Sequence, residues 1–199
     1  MRFSTFSAFV LASVPLALSA SVISENALSL CEAPTVVEET FIGENKNVQV
    51  QALKCANDVA LEKRQGPPPS GNVCGATCNT NCFPGGTGGP DPNECHVIAD
   101  AILFDSQNLG RFHAGLLLIA NPANNVDPSG TLFNITQGTI IDMKFRSCES
   151  FFVNQASENL TYCRTDWSPV LDFVAFNCQS TQSAHGGNCV AADQRWFIQ

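Results

Sequence analysis

Ten cysteines in a chain of 199 residues constrain its fold more than any other feature. Eight of them, Cys74, Cys78, Cys82, Cys95, Cys148, Cys163, Cys178 and Cys189, lie beyond residue 64. That even number can be satisfied entirely by disulfides, although eight cysteines pair in about a hundred ways and spacing alone selects none. Thiolates as close as Cys74, Cys78 and Cys82 can also hold zinc. No histidine stands at finger-like spacing from them, so disulfides are expected and a metal is not. The last four cysteines share the stretch 148–196 with both tryptophans and the only tyrosine, Tyr162. With this many covalent ties a modest core suffices for one domain.

The N-terminus reads as an export signal. Met1 and Arg2 give a positive start, an apolar run over 6–18 follows, and small residues at Ala17, Ser19 and Ala20 offer a cleavage site. The run is shorter than the roughly 20 apolar residues that span a bilayer, and no later stretch reaches that length. The chain is therefore expected to be secreted and extracellular, with 1–20 as signal peptide and no membrane insertion. Residues 21–64 are rich in glutamate and end in Lys63 and Arg64, just before a Gly/Pro-rich lead-in over 65–90. Proline and glycine keep that lead-in out of helix and sheet, where a processing protease meets an extended substrate. Residues 21–64 are thus expected to be a propeptide, within which Cys31 and Cys55 can pair.

Beyond residue 64, eleven acids stand against five bases. A nucleic-acid partner requires clustered Lys and Arg to displace counterions, so none is expected. Two Asn-x-Thr sequons, at Asn134 and Asn159, predict N-glycosylation and agree with export.

The domain proper, 91–199, reads as α+β. Asp91, Pro92 and Glu94 spell a helix start: an N-cap acid, proline at the first helical position, and an acid that closes a capping box. Cys95, Ile98, Ala99, Ile102 and Leu103 then share one face, with His96 and Asp100 on another. Residues 111–120 read as a central strand, and 131–136, 140–146 and 148–154 as further strands. A hairpin turn over 155–158 leads to a strand at 160–163. Ser168 and Pro169 repeat the cap signature for a second helix, whose stripe is Leu171, Val174, Ala175 and Cys178, widened by Phe173 and Phe176. A polar loop over 179–188 leads to one closing strand over 189–198, which places Gln194, Trp196 and Ile198 on one face. The expectation is a single disulfide-stabilised domain, an antiparallel sheet of about four to five strands flanked by two helices.

No nucleophile elbow, phosphate-cradling glycine loop or zinc-protease motif occurs. His113, Arg146 and Glu149 are the one trio on neighbouring predicted strands with the roles a ribonuclease or other small hydrolase needs, and nothing in the sequence makes them converge. Eleven acids make some glycosidase-like carboxylate pair inevitable, so such a pair says little. No catalytic residue, cofactor or metal is therefore assigned. Rings beside amides and acids suit a carbohydrate, whose C–H faces stack while its hydroxyls take hydrogen bonds. Tyr162, Asp166 and Trp167 around Cys163, with His185 and Asn188 from the last loop, are the expected ligand-binding residues. The competing reading packs Trp167 and Trp196 in the core. A non-catalytic module binding a glycan or glycoprotein is the leading expectation. The alternatives are a secreted effector or cell-surface protein that binds another protein, and a small secreted hydrolase or ribonuclease.

The series Glu94-Cys95, Ser147-Cys148, Tyr162-Cys163-x-x-Asp166-Trp167, Cys178, Gly186-Gly187-x-Cys189 and Trp196 resembles fungal small secreted cysteine-rich proteins. Among them it is similar to the small glycan-binding lectins first described from a mushroom. The resemblance covers 74–199 and rests on cysteine and tryptophan spacing. It implies a four-stranded antiparallel sheet between helices, and glycan binding without catalysis or metal. It carries over no particular binding residue, and the trio Cys74, Cys78 and Cys82 has no match in it.

Overall fold

The computed structural model describes residues 27–57, 70–83, 85, 88–112 and 131–199. The stretch read as a signal peptide, the pair Lys63 and Arg64, His113 and most of the strand expected over 111–120 lie outside these residues. Seven strands form one antiparallel sheet. Their order is β1 (Thr35–Ile42), β2 (Val48–Lys54), β5 (Thr139–Phe145), β6 (Cys148–Asn154), β9 (Trp196–Ile198), β8 (Gly187–Ala191) and β3 (Cys78–Cys82). β4 (Leu132–Ile135) and β7 (Leu160–Cys163) pair separately. Helices α1 (Pro92–Phe112) and α2 (Arg164–Ala175) pack on each other and on the sheet.

The mixed class and the two helices match the sequence reading, but four to five strands is an undercount. The additional strands have distinct origins. β1 and β2 come from the segment read as a propeptide, where Val48, Val50 and Ala52 alternate with Gln49 and Gln51 in the period of a half-buried strand. β3 comes from the lead-in read as irregular. The single closing strand is in fact the hairpin β8–β9, turned through Gln194 at φ 59°. The hairpin expected across 155–158 does not form, because β6 pairs with β5 and β9 while β7 pairs with β4.

Strand register sorts the sheet's two faces. Toward the helices, Val50, Met143, Ala52, Ile141, Phe152, Trp196 and Ile198 join Ile98, Ile102 and Leu171 in the main core. On the outer face, one cross-strand row runs Leu53, Ile140, Val153, Phe197, Val190. A 3-10 turn over Ala27–Leu30 and the Cys31–Cys55 disulfide roof that row and Phe151, making a second core.

The α1 start follows the predicted cap with one addition. Asp91 Oδ1 accepts the Asn93 N–H (2.9 Å), but Glu94 does not reach back to Asp91. Ser147 stands between them: its hydroxyl accepts the Asp91 N–H (3.0 Å) and donates to Glu94, whose carboxyl these bonds hold below its usual range. The cap thereby ties α1 to the β5–β6 turn. α1 continues through Gly110 to Phe112, so the strand expected from residue 111 does not begin there. α2 begins at Arg164, four residues before the Ser168 cap position, with Pro169 inside it. Phe173 does not widen the buried stripe. Two residues on from Leu171 is about 200° around a helix, and Phe173 stands 58% exposed, with Phe176 also exposed.

All ten cysteines are paired. The trio divides among three distant partners, as Cys74–Cys163, Cys78–Cys189 and Cys82–Cys178, while Cys95–Cys148 joins α1 to β6. The lead-in is thus stitched to the C-terminal third of the chain, an arrangement that fits an oxidising compartment. Among the described residues no helix is long and apolar enough to cross a membrane.

Candidate functional site

The five residues expected to bind ligand do not assemble on a surface. Tyr162 and Trp167 are 1% and 0% exposed, so neither ring can meet a ligand. Tyr162 follows Leu160 at the inward positions of β7, and the early start of α2 turns Trp167 inward as well. Both join Phe152 and Trp196 in one aromatic cluster. Phe152 stacks on Trp196 at 5.5 Å between centroids, Tyr162 lies 4.9 Å from Trp196, and Trp167 lies 5.6 Å from Phe152. The Trp167 indole donates to Ser150 Oγ at 3.3 Å. Burial, then the charge of Asp166, pushes the Tyr162 phenol far up.

The polar members serve the scaffold. Asp166 accepts the Gly75 N–H at 2.7 Å, beside the Cys74–Cys163 disulfide. The two sulfurs and this carboxylate lie within metal-ligand reach of one another, but disulfide sulfurs have no thiolate to offer. Asn188 is buried and accepts from Asn81 Nδ2 (3.2 Å) across β3 and β8. His185 is half-buried with its ring 5.9 Å from Phe83. Of the hydrolase trio, Arg146 pairs with Glu94 (3.5 Å) and Glu149 with Lys144 (3.4 Å), while His113 lies outside the described residues. Asn134 is half-buried, accepting the Thr161 hydroxyl at 2.7 Å, and Asn159 is exposed, accepting the Gln137 N–H at 3.0 Å. A glycan joins asparagine at Nδ2, so both bonds to Oδ1 are compatible with the modification.

Another constellation appears where the outer sheet face is not roofed. One row across four strands runs Phe41, Gln49, Lys144, Glu149, and the next runs Glu39, Gln51, Asp142, Phe151. Phe41 presents a ring that is 45% exposed. Glu39 Oε2 accepts from both Gln49 Nε2 (3.1 Å) and Gln51 Nε2 (2.6 Å), which fixes the two amides side by side. Asp142 is only 6% exposed, and its Oδ1 meets no protein donor. Burial, then the neighbouring Glu149, pushes its carboxyl up to about 7. Being buried, this carboxyl lies beneath the strip and does not face a ligand. The arrangement offers one aromatic platform beside a strip of amides, acids and a lysine, with the strand pleat setting their spacing. Half of it comes from β1 and β2, which is why a reading of 91–199 missed it. The period-2 alternation of 48–53 was the available signal.

A second polar cluster joins the helices. His96 Nδ1 lies 2.9 Å from Asp172 and Nε2 lies 3.5 Å from Asp100, so the two residues on α1's polar face meet and the contact extends to α2. The Asp172 bond raises the His96 pKa against an opposing effect of burial. No family model matches the chain, and neither a curated protein nor a solved structure matches it.

Proposed function

We propose that this is a secreted, non-catalytic carbohydrate-binding protein whose glycan lies along the unroofed polar half of the outer sheet face. The observation that carries the reading is the exposed Phe41 ring in register with Gln49, Gln51, Glu39, Lys144 and Glu149. A sugar ring stacks its C–H face on Phe41 while its hydroxyls meet the amide and acid strip, where both donors and acceptors are available. The likeness in cysteine and tryptophan spacing to small fungal lectins supports the same class, and the five disulfides fit export. A glycan array followed by calorimetry on the best ligand tests it. Phe41→Ala and Gln51→Ala are each expected to weaken binding about tenfold or more, the scale of one lost stacking or hydrogen-bonding contact. A folded protein that binds no glycan on the array overturns the reading.

One observation favours a protein partner instead. Val36, Val37 and Phe41 are exposed on β1, an edge strand open to strand addition. A Val37→Asp variant separates the two: it weakens a protein that adds to this edge and leaves a sugar on Phe41 and Gln51 unaffected.

A further inference from the structure

The disulfides divide the chain into two parts. Cys31–Cys55 closes within 27–57, and the other four bridges join residues of 70–199 only to one another. Since no cysteine is left over, no disulfide crosses between the parts. Their folding is nonetheless shared. β2 lies inside the sheet, laddered to β5 from Gln49↔Lys144 to Lys54↔Thr139. Ile42, Val48, Val50 and Ala52 bury in the helix-side core. Ala27, Leu53 and the Cys31–Cys55 bridge cover Ile140, Phe151, Val153 and Phe197. The Gly43 N–H also donates to Asp105 on α1 at 3.2 Å.

We propose that residues 27–57 are a strand-donating module held on the body without a covalent tie, so that cutting the link 58–69 yields a two-chain protein. The surface on the body is the β5 edge with the apolar half of the outer face. The partner it fits is this chain's own hairpin, whose inward Val and Ala alternate with Gln and whose open end is closed by the Cys31–Cys55 disulfide beside the apolar 3-10 turn Ala27–Leu30. Release would strip β5 of its neighbour and bare Ile140, Phe151, Val153 and Phe197 to water, whereas retention keeps every backbone group of the ladder paired. A protease acting at Lys63 and Arg64 would accordingly trim the covalent chain and leave the fold whole. Phe41, Glu39, Gln49 and Gln51 would stay with it, although the inference does not depend on what that face binds.

The test uses the full secreted chain, cut with a Lys-Arg-specific protease, or with a sequence-specific one after its site is placed over 65–69 if the dibasic pair resists. Denaturing, non-reducing mass spectrometry is expected to show two separate chains. Native mass spectrometry and size exclusion of the same sample are expected to show one species containing both. Two results each overturn the proposal: chains that stay joined under non-reducing denaturation after cutting, or an N-terminal chain that elutes apart from the body under native conditions. A Val50→Asp variant, cut after folding, is expected to lose its N-terminal chain, which shows that the β2 packing holds it. If that variant does not fold, Val48→Ala, with a faster-exchanging labelled N-terminal chain, reads the same dependence.

Discussion

Trp167 and Trp196 share one aromatic cluster, yet their indole N–H groups are treated differently. Trp167 donates to the fully buried Ser150, whereas Trp196 Nε1 meets no protein acceptor. Trp167→Phe orphans the Ser150 hydroxyl, and Trp196→Phe orphans nothing. Urea denaturation should therefore show Trp167→Phe to be the more damaging by about 1–3 kcal/mol, the cost of one stranded buried polar group. Asp142 gives a pH signature. Its folded carboxyl titrates at about 7, against roughly 4 in an unfolded chain. The folded state then binds the proton more tightly, so stability is highest below the unfolded value and is lost as pH rises toward the folded one. Asp142→Asn should flatten thermal stability between pH 4 and pH 7, and an unchanged slope would place the titration elsewhere. At this scale the sequence showed residue types but not directions. The aromatic residues around Cys163 were read as ligand-binding, whereas Tyr162 and Trp167 are buried. Their burial follows from Leu160 and Tyr162 sharing one side of β7, a two-residue hint too short to outweigh the polar neighbours.

Elements were legible wherever a local signal fixed them. α1 was readable because Asp91, Pro92 and Glu94 start it and Cys95, Ile98, Ala99 and Ile102 keep its period. The start of α2 was not, because the Cys74–Cys163 bridge and the end of β7 set it in place of a cap: Cys163 has no side-chain capping bond. The pairing of β7 with β4 was equally hidden, since strands of similar pattern do not announce which neighbour they choose. Gly187 marks the tightest seam between elements. A Cβ there would stand 2.5 Å from Cys178 Sγ and 2.8 Å from the Asn81 carbonyl oxygen. Gly187→Ala must push apart β3, β8 and the π-helical turn Phe176–Thr181 that follows α2, and should cost about 1–3 kcal/mol as an overpacked site. Removing the bridge beside it, as Cys82→Ser with Cys178→Ser, is expected to cost about 2–4 kcal/mol and to loosen β3 first. Hydrogen exchange on Asn79 and Asn81 would read that loosening.

Across the whole molecule, the sheet order and the disulfide pairing were out of reach of the sequence, because each depends on contacts between residues far apart in the chain. Cys78 and Cys189 are separated by 111 positions. Cys31 and Cys55 were paired correctly, since they are neighbours in an otherwise cysteine-free segment. That the segment around them is built into the sheet could be seen only in three dimensions. The uneven division of the disulfides predicts how the protein responds to concentration. The midpoint of thermal unfolding of the intact chain should be independent of protein concentration. After cutting in 58–69 it should rise with concentration, as it does when two chains must meet to fold. At high dilution that difference becomes a matter of reversibility. An intact molecule that unfolds can refold by itself, whereas a cut one loses its N-terminal chain by diffusion and has one folded lifetime.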